Sequence, residues 1–208
     1  LGPEDRRSDQ ETDAAAVYWN RRYGGPERAI DTAIKASLRE TGVIAESFDA
    51  SLLFEPWTVR TGGGTPYAVF TPFWRACQSL PAPRAPLAAP PALEGGPEIA
   101  SDELGLLPRV DWAAGLRERW TPGEPSAHER LHEFLTVDLA GYDRARDEPS
   151  AGATSELSPR LRWGELSPHT VWHAAAGAPG TAGFLSELGW REFAWHTLFN
   201  FPELATRN

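Results

Sequence analysis

The sequence predicts a chain in three parts: an α/β unit, a long proline-rich connector and an all-helical remainder. Three observations carry this. Two short apolar runs flank a segment of helical periodicity near the start. Nine prolines fall within 78–125. After them, apolar residues recur only at helical spacing, and Ser-Pro pairs mark helix starts. A length of 208 residues leaves room for one large domain or two small ones with a real core.

Residues 1–13 read as an acidic, solvated tail. Ala14 to Trp19 is short, apolar and ends in aromatics, the pattern of a buried strand. Pro26 suits a helix start; Ile30, Ala33, Ile34 and Leu38 follow helical spacing, and Gly42 stops the helix. Val43 to Phe48 is a second strand. Strand, helix and strand with short joints form a β–α–β unit and imply a parallel pair. Two strands do not make such a sheet alone, so the sequence is expected to be an interior fragment of a longer protein. The absence of any methionine points the same way.

Thr61-Gly62-Gly63-Gly64-Thr65 is a turn, because a phosphate loop would need a following Lys-Ser/Thr. Thr71 then caps a helix with Pro72 at its first position. Residues before proline avoid the α region, so 78–125 is an extended connector. Trp112, Leu116 and Trp120 mark one short helix inside it. A helix over 126–141 opens on a capping box of Ser126 and Glu129, with Leu131, Phe134, Leu135 and Leu139 as its buried stripe. Ser158-Pro159 and Ser167-Pro168 open two more. A last helix from Thr181 to Phe199 buries Phe184, Leu188, Trp195 and Leu198.

Composition narrows the function classes. No run of about 18 apolar residues crosses a membrane, and the polar, acidic start has no apolar leader segment. The single cysteine, Cys77, rules out an intrachain disulfide and a cysteine-based zinc cluster, and a cytoplasmic location is the default. A net charge of −9 does not draw the chain as a whole to nucleic acid, so any DNA contact needs a local groove of arginines.

Three motifs carry chemistry. His128-Glu129-Arg130-Leu131-His132 matches the H-E-x-x-H pattern of zinc proteases. Glu129 is already committed to the cap, and burial of Leu131 and Phe134 turns both imidazoles aside, so no metal site is expected. His169 and His173, one turn apart, read as surface. Thr154-Ser155-Glu156-Leu157-Ser158-Pro159 sets hydroxyls ahead of a helix N-terminus, where free N–H groups hold phosphates; a plain capped helix fits as well. Glu187, Trp190, Arg191 and Ala194 share a helix face. That face suits either an intrahelical ion pair beside a core indole or a grip on a flat, anionic heteroaromatic.

Together these segments resemble the DNA photolyase and cryptochrome family. Val17-Tyr18-Trp19-Asn20-Arg21-Arg22-Tyr23 resembles the end of an antenna-domain strand. Pro66 to Phe73 is similar to the family's P-Y-x-V-F-T-P-F segment. Tyr142 with Arg146, Thr154-Ser155-x-Leu157-Ser158-Pro159, Gly164-Glu165-Leu166-Ser167-Pro168 and Glu187-Leu188-x-Trp190-Arg191-Glu192-Phe193 follow its flavin-domain signatures in order.

The resemblance implies the end of a Rossmann-like antenna domain over 14–77, a linker over 78–125, and the first part of a helical FAD-binding domain over 126–208. It implies FAD contacts from Tyr142, Thr154, Ser155, Glu156, Leu157, Ser158 and Arg191. Arg146, Glu187 and Trp190 would meet UV-damaged DNA with the pyrimidine dimer flipped into a pocket. An antenna chromophore of folate or deazaflavin type is a second implied cofactor, with Glu27 a candidate ligand. The implied activity is deoxyribodipyrimidine photo-lyase, blue-light-driven repair by electron transfer from reduced FAD, in a protein that is monomeric at full length. The alternative is a cryptochrome photoreceptor without repair. Glu156 stands where the family carries a basic or neutral residue, and a carboxylate beside a pyrophosphate repels it unless it points outward. Phe184 replaces a tryptophan of some members. The 208 residues alone are expected to bind FAD poorly.

Overall fold

The computed structural model describes residues 14–93, 95–96, 110 and 112–206. The tail expected over 1–13 lies outside them, as do residues 94, 97–109 and 111 of the connector. Strands β1 (Ala16–Asn20) and β2 (Ile44–Phe48) pair in parallel, Ala16 opposite Ile44 and Asn20 opposite Phe48. Helix α1 (Gly25–Glu40) crosses between them, with Pro26 in its first turn. Of the four apolar residues at helical spacing on α1, only Leu38 is fully buried, and Ile30 is exposed. A two-stranded sheet offers a narrow face, so one helix cannot bury a full stripe against it. Asp31 is buried instead, held by the Arg22 guanidinium.

Helix α2 (Phe70–Ser79) starts earlier than Thr71-Pro72 suggested. Extended Val69 is its N-cap, and no side chain caps it. In the connector, α3 (Ala114–Arg119) occupies the expected place, but Trp112 and Leu116 are exposed. Pro83 and Arg84 are tied to the helical part through their carbonyl oxygens, which meet His173 Nε2 at 2.9 and 3.0 Å. His169 Nδ1 lies 3.2 Å from the same Arg84 oxygen. His169 is buried, which corrects its reading as a surface residue; burial and Arg84 lower its pKa.

The long helix expected over 126–141 is broken. Helix α4 (Glu124–Glu133) gives way to a π turn (Phe134–Asp138), a 3-10 turn (Leu139–Gly141) and then α5 (Tyr142–Ala145). Thr136 donates its hydroxyl to the carbonyls of His132 (2.9 Å) and Glu133 (3.2 Å), a local competitor to the helical ladder. The break lets Phe134, Leu139 and Tyr142 all enter one core. The capping box also fails, because α4 starts at Glu124. The Gly123 N–H is met from 42 residues away by Glu165 Oε1 at 2.8 Å, and the Ser126 hydroxyl donates to Gly123 O at 3.1 Å.

Helices α6 (Ser158–Trp163), α7 (Pro168–Ala175) and α8 (Thr181–Asn200) complete the bundle. Ser167 caps α7 as expected, accepting from Thr170 N at 3.0 Å. Ser158 is not a cap: Leu157 holds that position, and Ser158 is the first helical residue. Along α8, Phe184 and Leu188 are buried as expected, whereas Trp195 and Leu198 are half-buried and Glu192 and His196 take the inward places.

Candidate functional site

Helix α8 runs along the α/β side of the molecule and is fastened to it by polar groups. Arg191 Nη1 donates to Ser51 O at 2.8 Å. Glu192 Oε2 accepts from Leu53 N at 2.8 Å and Phe54 N at 3.2 Å, and Glu192 Oε1 lies 3.3 Å from the Arg191 guanidinium. His196 Nε2 accepts from Tyr67 N at 3.1 Å. Burial drives the Glu192 carboxyl up to about 7, against the pull of Arg191 and the two N–H groups. The sequence offered a signal for Glu192: it falls four residues after Leu188, on the buried stripe, where a carboxylate needs donors.

Close approach on this helix depends on two glycines. A Cβ on Gly183 would fall 1.7 Å from Asp143 Oδ1, so a larger residue there would push the Asp143 carboxylate aside. A Cβ on Gly189 would meet the Trp74 indole at 2.6–2.8 Å. The first contact brings Arg146 onto Glu187, with Nη1 and Oε1 2.6 Å apart. The Arg146 guanidinium also sits 5.5 Å from the centre of the Tyr142 ring. Tyr142 is buried against Phe134 and Phe184, and burial raises its phenol pKa.

The residues expected to share one α8 face divide among three partners. Glu187 pairs with Arg146. Trp190 stacks on Phe70 of α2, the ring centres 3.7 Å apart and the planes 12° from parallel, and stays 47% exposed. Arg191 reaches the loop after β2 and lines a cleft. That cleft, about 630 Å³, lies between the α/β unit and the helices, with Arg21, Arg22, Glu27, Ser158, Trp163 and Trp195 on its walls.

The hydroxyl-rich segment is held from behind by Arg130 of α4. Its guanidinium donates to Ser155 O (3.1 Å), Thr154 O (3.0 Å), Asp138 Oδ2 (3.0 Å) and Glu133 Oε2 (2.7 Å). Glu156 has φ +55°, the left-handed region that costs a non-glycine residue about 1–2 kcal/mol. Its carboxylate pairs with Arg119 and lies 4.0 Å from Arg130. Leu157 is buried in the same core as Tyr142, while Thr154 and Ser158 are exposed. Ser155 Oγ accepts from Leu157 N at 3.4 Å, and no side chain caps α6. Tyr142 and Leu157 are thus brought together through one core, whereas Ser158 and Arg191 face the cleft.

His128 and His132 of the H-E-x-x-H segment are exposed, and among the described residues no group of three metal-ligating side chains converges. No helix among them is long and apolar enough to cross a membrane.

Known proteins share the overall fold. The DNA photolyase family model matches residues 6–92. The deoxyribodipyrimidine photo-lyase of Agrobacterium fabrum is 44% identical over 95% of this chain, which spans 44% of that protein's length. Cryptochrome-1 of Arabidopsis thaliana is 30% identical over 92% of this chain and 31% of its own. The crystal structure of a bacterial class III photolyase from Agrobacterium tumefaciens superposes with a TM-score of 0.83 at 41% identity, covering 99% of this chain and 45% of that one. The chain therefore spans under half the length of these relatives, and it belongs to the DNA photolyase and cryptochrome family.

Proposed function

We propose that this chain serves blue-light-driven repair of cyclobutane pyrimidine dimers in DNA, as part of an FAD-dependent photo-lyase. The observation that carries the reading is the Glu187 carboxylate, held 2.6 Å from Arg146, one helical turn from a half-exposed Trp190 indole. A base taken out of the duplex needs a flat apolar surface and a hydrogen-bonding partner for its edge. Trp190 supplies the first. Glu187 supplies an acceptor for ring N–H groups, and Arg146 fixes the orientation of that carboxylate.

The residues present fit a pyrophosphate-bearing flavin. In the 154–158 segment, the carbonyls of Thr154 and Ser155 are bound by Arg130, so they do not oppose an anion. The Glu156 carboxylate is neutralised by Arg119, which answers the repulsion expected from that substitution. Exposed Thr154 and Ser158 hydroxyls and the uncapped first turn of α6 remain as donors. Tyr142, Thr154, Ser155, Leu157 and Ser158 would hold FAD, which when bound supplies the light absorption and the electron. Arg191 is committed to Ser51 and Glu192, so it would act on the pocket by fixing α8. The cleft lined by Arg21, Arg22, Trp163 and Trp195 suits a flat anionic antenna chromophore; Glu27, also on its wall, would be one of its ligands.

The test is reversal of thymine dimers in an irradiated oligonucleotide under blue light, with a full-length protein that contains this chain loaded with reduced FAD. Glu187→Ala is expected to slow reversal about tenfold or more, from a lost charge-assisted hydrogen bond. Flavin binding without dimer reversal would instead favour a photoreceptor, the reading that the similarity to Arabidopsis cryptochrome-1 keeps in view.

A further inference from the structure

Trp190 does not stand alone. Phe70 covers one face of its indole at 3.7 Å, and Phe193 meets it at 5.9 Å with planes 75° apart. The buried Trp74 ring lies nearly parallel to Phe70 at 11°, 6.3 Å centre to centre. Trp74 in turn fills the space left by the missing side chain of Gly189, the residue directly before Trp190. Three near-parallel rings therefore run from the core to the exposed indole, and two of them belong to α2 rather than to the helix that carries Trp190.

We propose that Phe70 is a positioning residue for base recognition. It closes one face of Trp190 and holds the ring so that a single flat partner can stack on the remaining surface beside Glu187. Trp74, seated on Gly189, packs nearly parallel to Phe70 and braces it. An indole free to turn about its side-chain bonds would spread its exposed face over several directions and lose that freedom on binding. A ring already stacked has lost it. The α2 segment thus sets the direction in which α8 presents its aromatic surface. This inference rests on the reading of Trp190 as a base-stacking surface, but the ring geometry is testable separately.

Two measurements on a flavin-loaded full-length protein that contains this chain decide it. Hydroxyl-radical footprinting read by mass spectrometry reports the exposure of Trp190. Phe70→Ala should raise Trp190 labelling about twofold by opening the second face, and Phe70→Leu, which keeps volume without a planar ring, provides the same reading if the alanine variant folds poorly. Affinity for an oligonucleotide carrying one thymine dimer, against the undamaged oligonucleotide, should fall about tenfold in either variant. It should recover in Phe70→Tyr, which restores a flat ring. Unchanged Trp190 labelling overturns the proposal. Raised labelling with unchanged dimer affinity overturns the positioning role and leaves the repair reading intact. A wild-type protein that does not discriminate dimer from undamaged DNA sinks the repair reading, while labelling still decides whether Phe70 holds the ring.

Discussion

Replacing Glu192 by glutamine should change how stability depends on pH. The carboxyl is 2% exposed, accepts from two backbone N–H groups and touches Arg191. Burial raises it from 4.5 to about 7. A carboxyl with a raised native pKa favours the folded state fully below 4.5, where both states are protonated, and loses that contribution as pH rises to 7. At about 1.4 kcal/mol per pH unit, the loss is on the order of 3 kcal/mol. Glutamine retains an oxygen for the N–H groups but does not titrate. Urea denaturation at pH 4 and pH 8 should therefore show wild type losing about 3 kcal/mol relative to Glu192→Gln between the two. His169 and His196, both lowered by burial, titrate in both proteins and cancel in the difference, whereas the Glu55 charge adds to the rise of Glu192 and is part of the effect removed by glutamine. Cys77, pushed up to about 12, stays outside the window. A difference that does not move with pH refutes the reasoning.

Other outcomes follow from the same contacts. Glu165→Ala leaves buried Arg160 with the Thr121 carbonyl but no carboxylate, removes the acceptor from Gly123 N, and should cost about 1–3 kcal/mol in urea unfolding. Arg160 and the Gly123 N–H hold the Glu165 carboxyl below its usual range, so wild type keeps this contribution above that range and loses it as pH falls below it. Gly189→Ala forces a methyl into the Trp74 ring. Overpacking of about 1–3 kcal/mol outweighs the roughly 1 kcal/mol gained in helix propensity, and the urea midpoint should fall without a change in slope. Elemental analysis of protein purified from zinc-supplemented medium should find no stoichiometric metal, since His128 and His132 are exposed and lack a third ligand among the described residues.

What was legible in the sequence was local. The β–α–β unit, the Ser167 cap and the long last helix all follow from residues within a turn or two of each other. The misread features depend on partners far along the chain. Ser126 and Glu129 look like a capping box until Glu165 arrives from 42 residues away to meet Gly123. His169 looks like a surface residue until the connector lays the Arg84 carbonyl against it, whereas His173 is exposed as expected. The α8 signature named the right residues but not their division, because helical spacing fixes an angle and not a neighbour. Trp190 goes to Phe70 and Arg191 to Ser51 only because α2 and the loop after β2 pack on different flanks of the helix. Glu156 looked hostile to an anion, and its neutraliser, Arg119, sits 37 residues upstream in the connector.

The fastenings of α8 share one property: each reaches a main-chain atom. Arg191 binds Ser51 O, Glu192 binds Leu53 N and Phe54 N, and His196 binds Tyr67 N. Main-chain atoms are common to every residue, so the side chains at 51, 53, 54 and 67 can change without loss of the bonds themselves. Proline alone deletes the N–H at three of these positions. Sequence at those four positions can thereby drift while Arg191, Glu192 and His196 keep their bonds, whereas Phe70 and Trp74, which meet α8 through their rings, cannot.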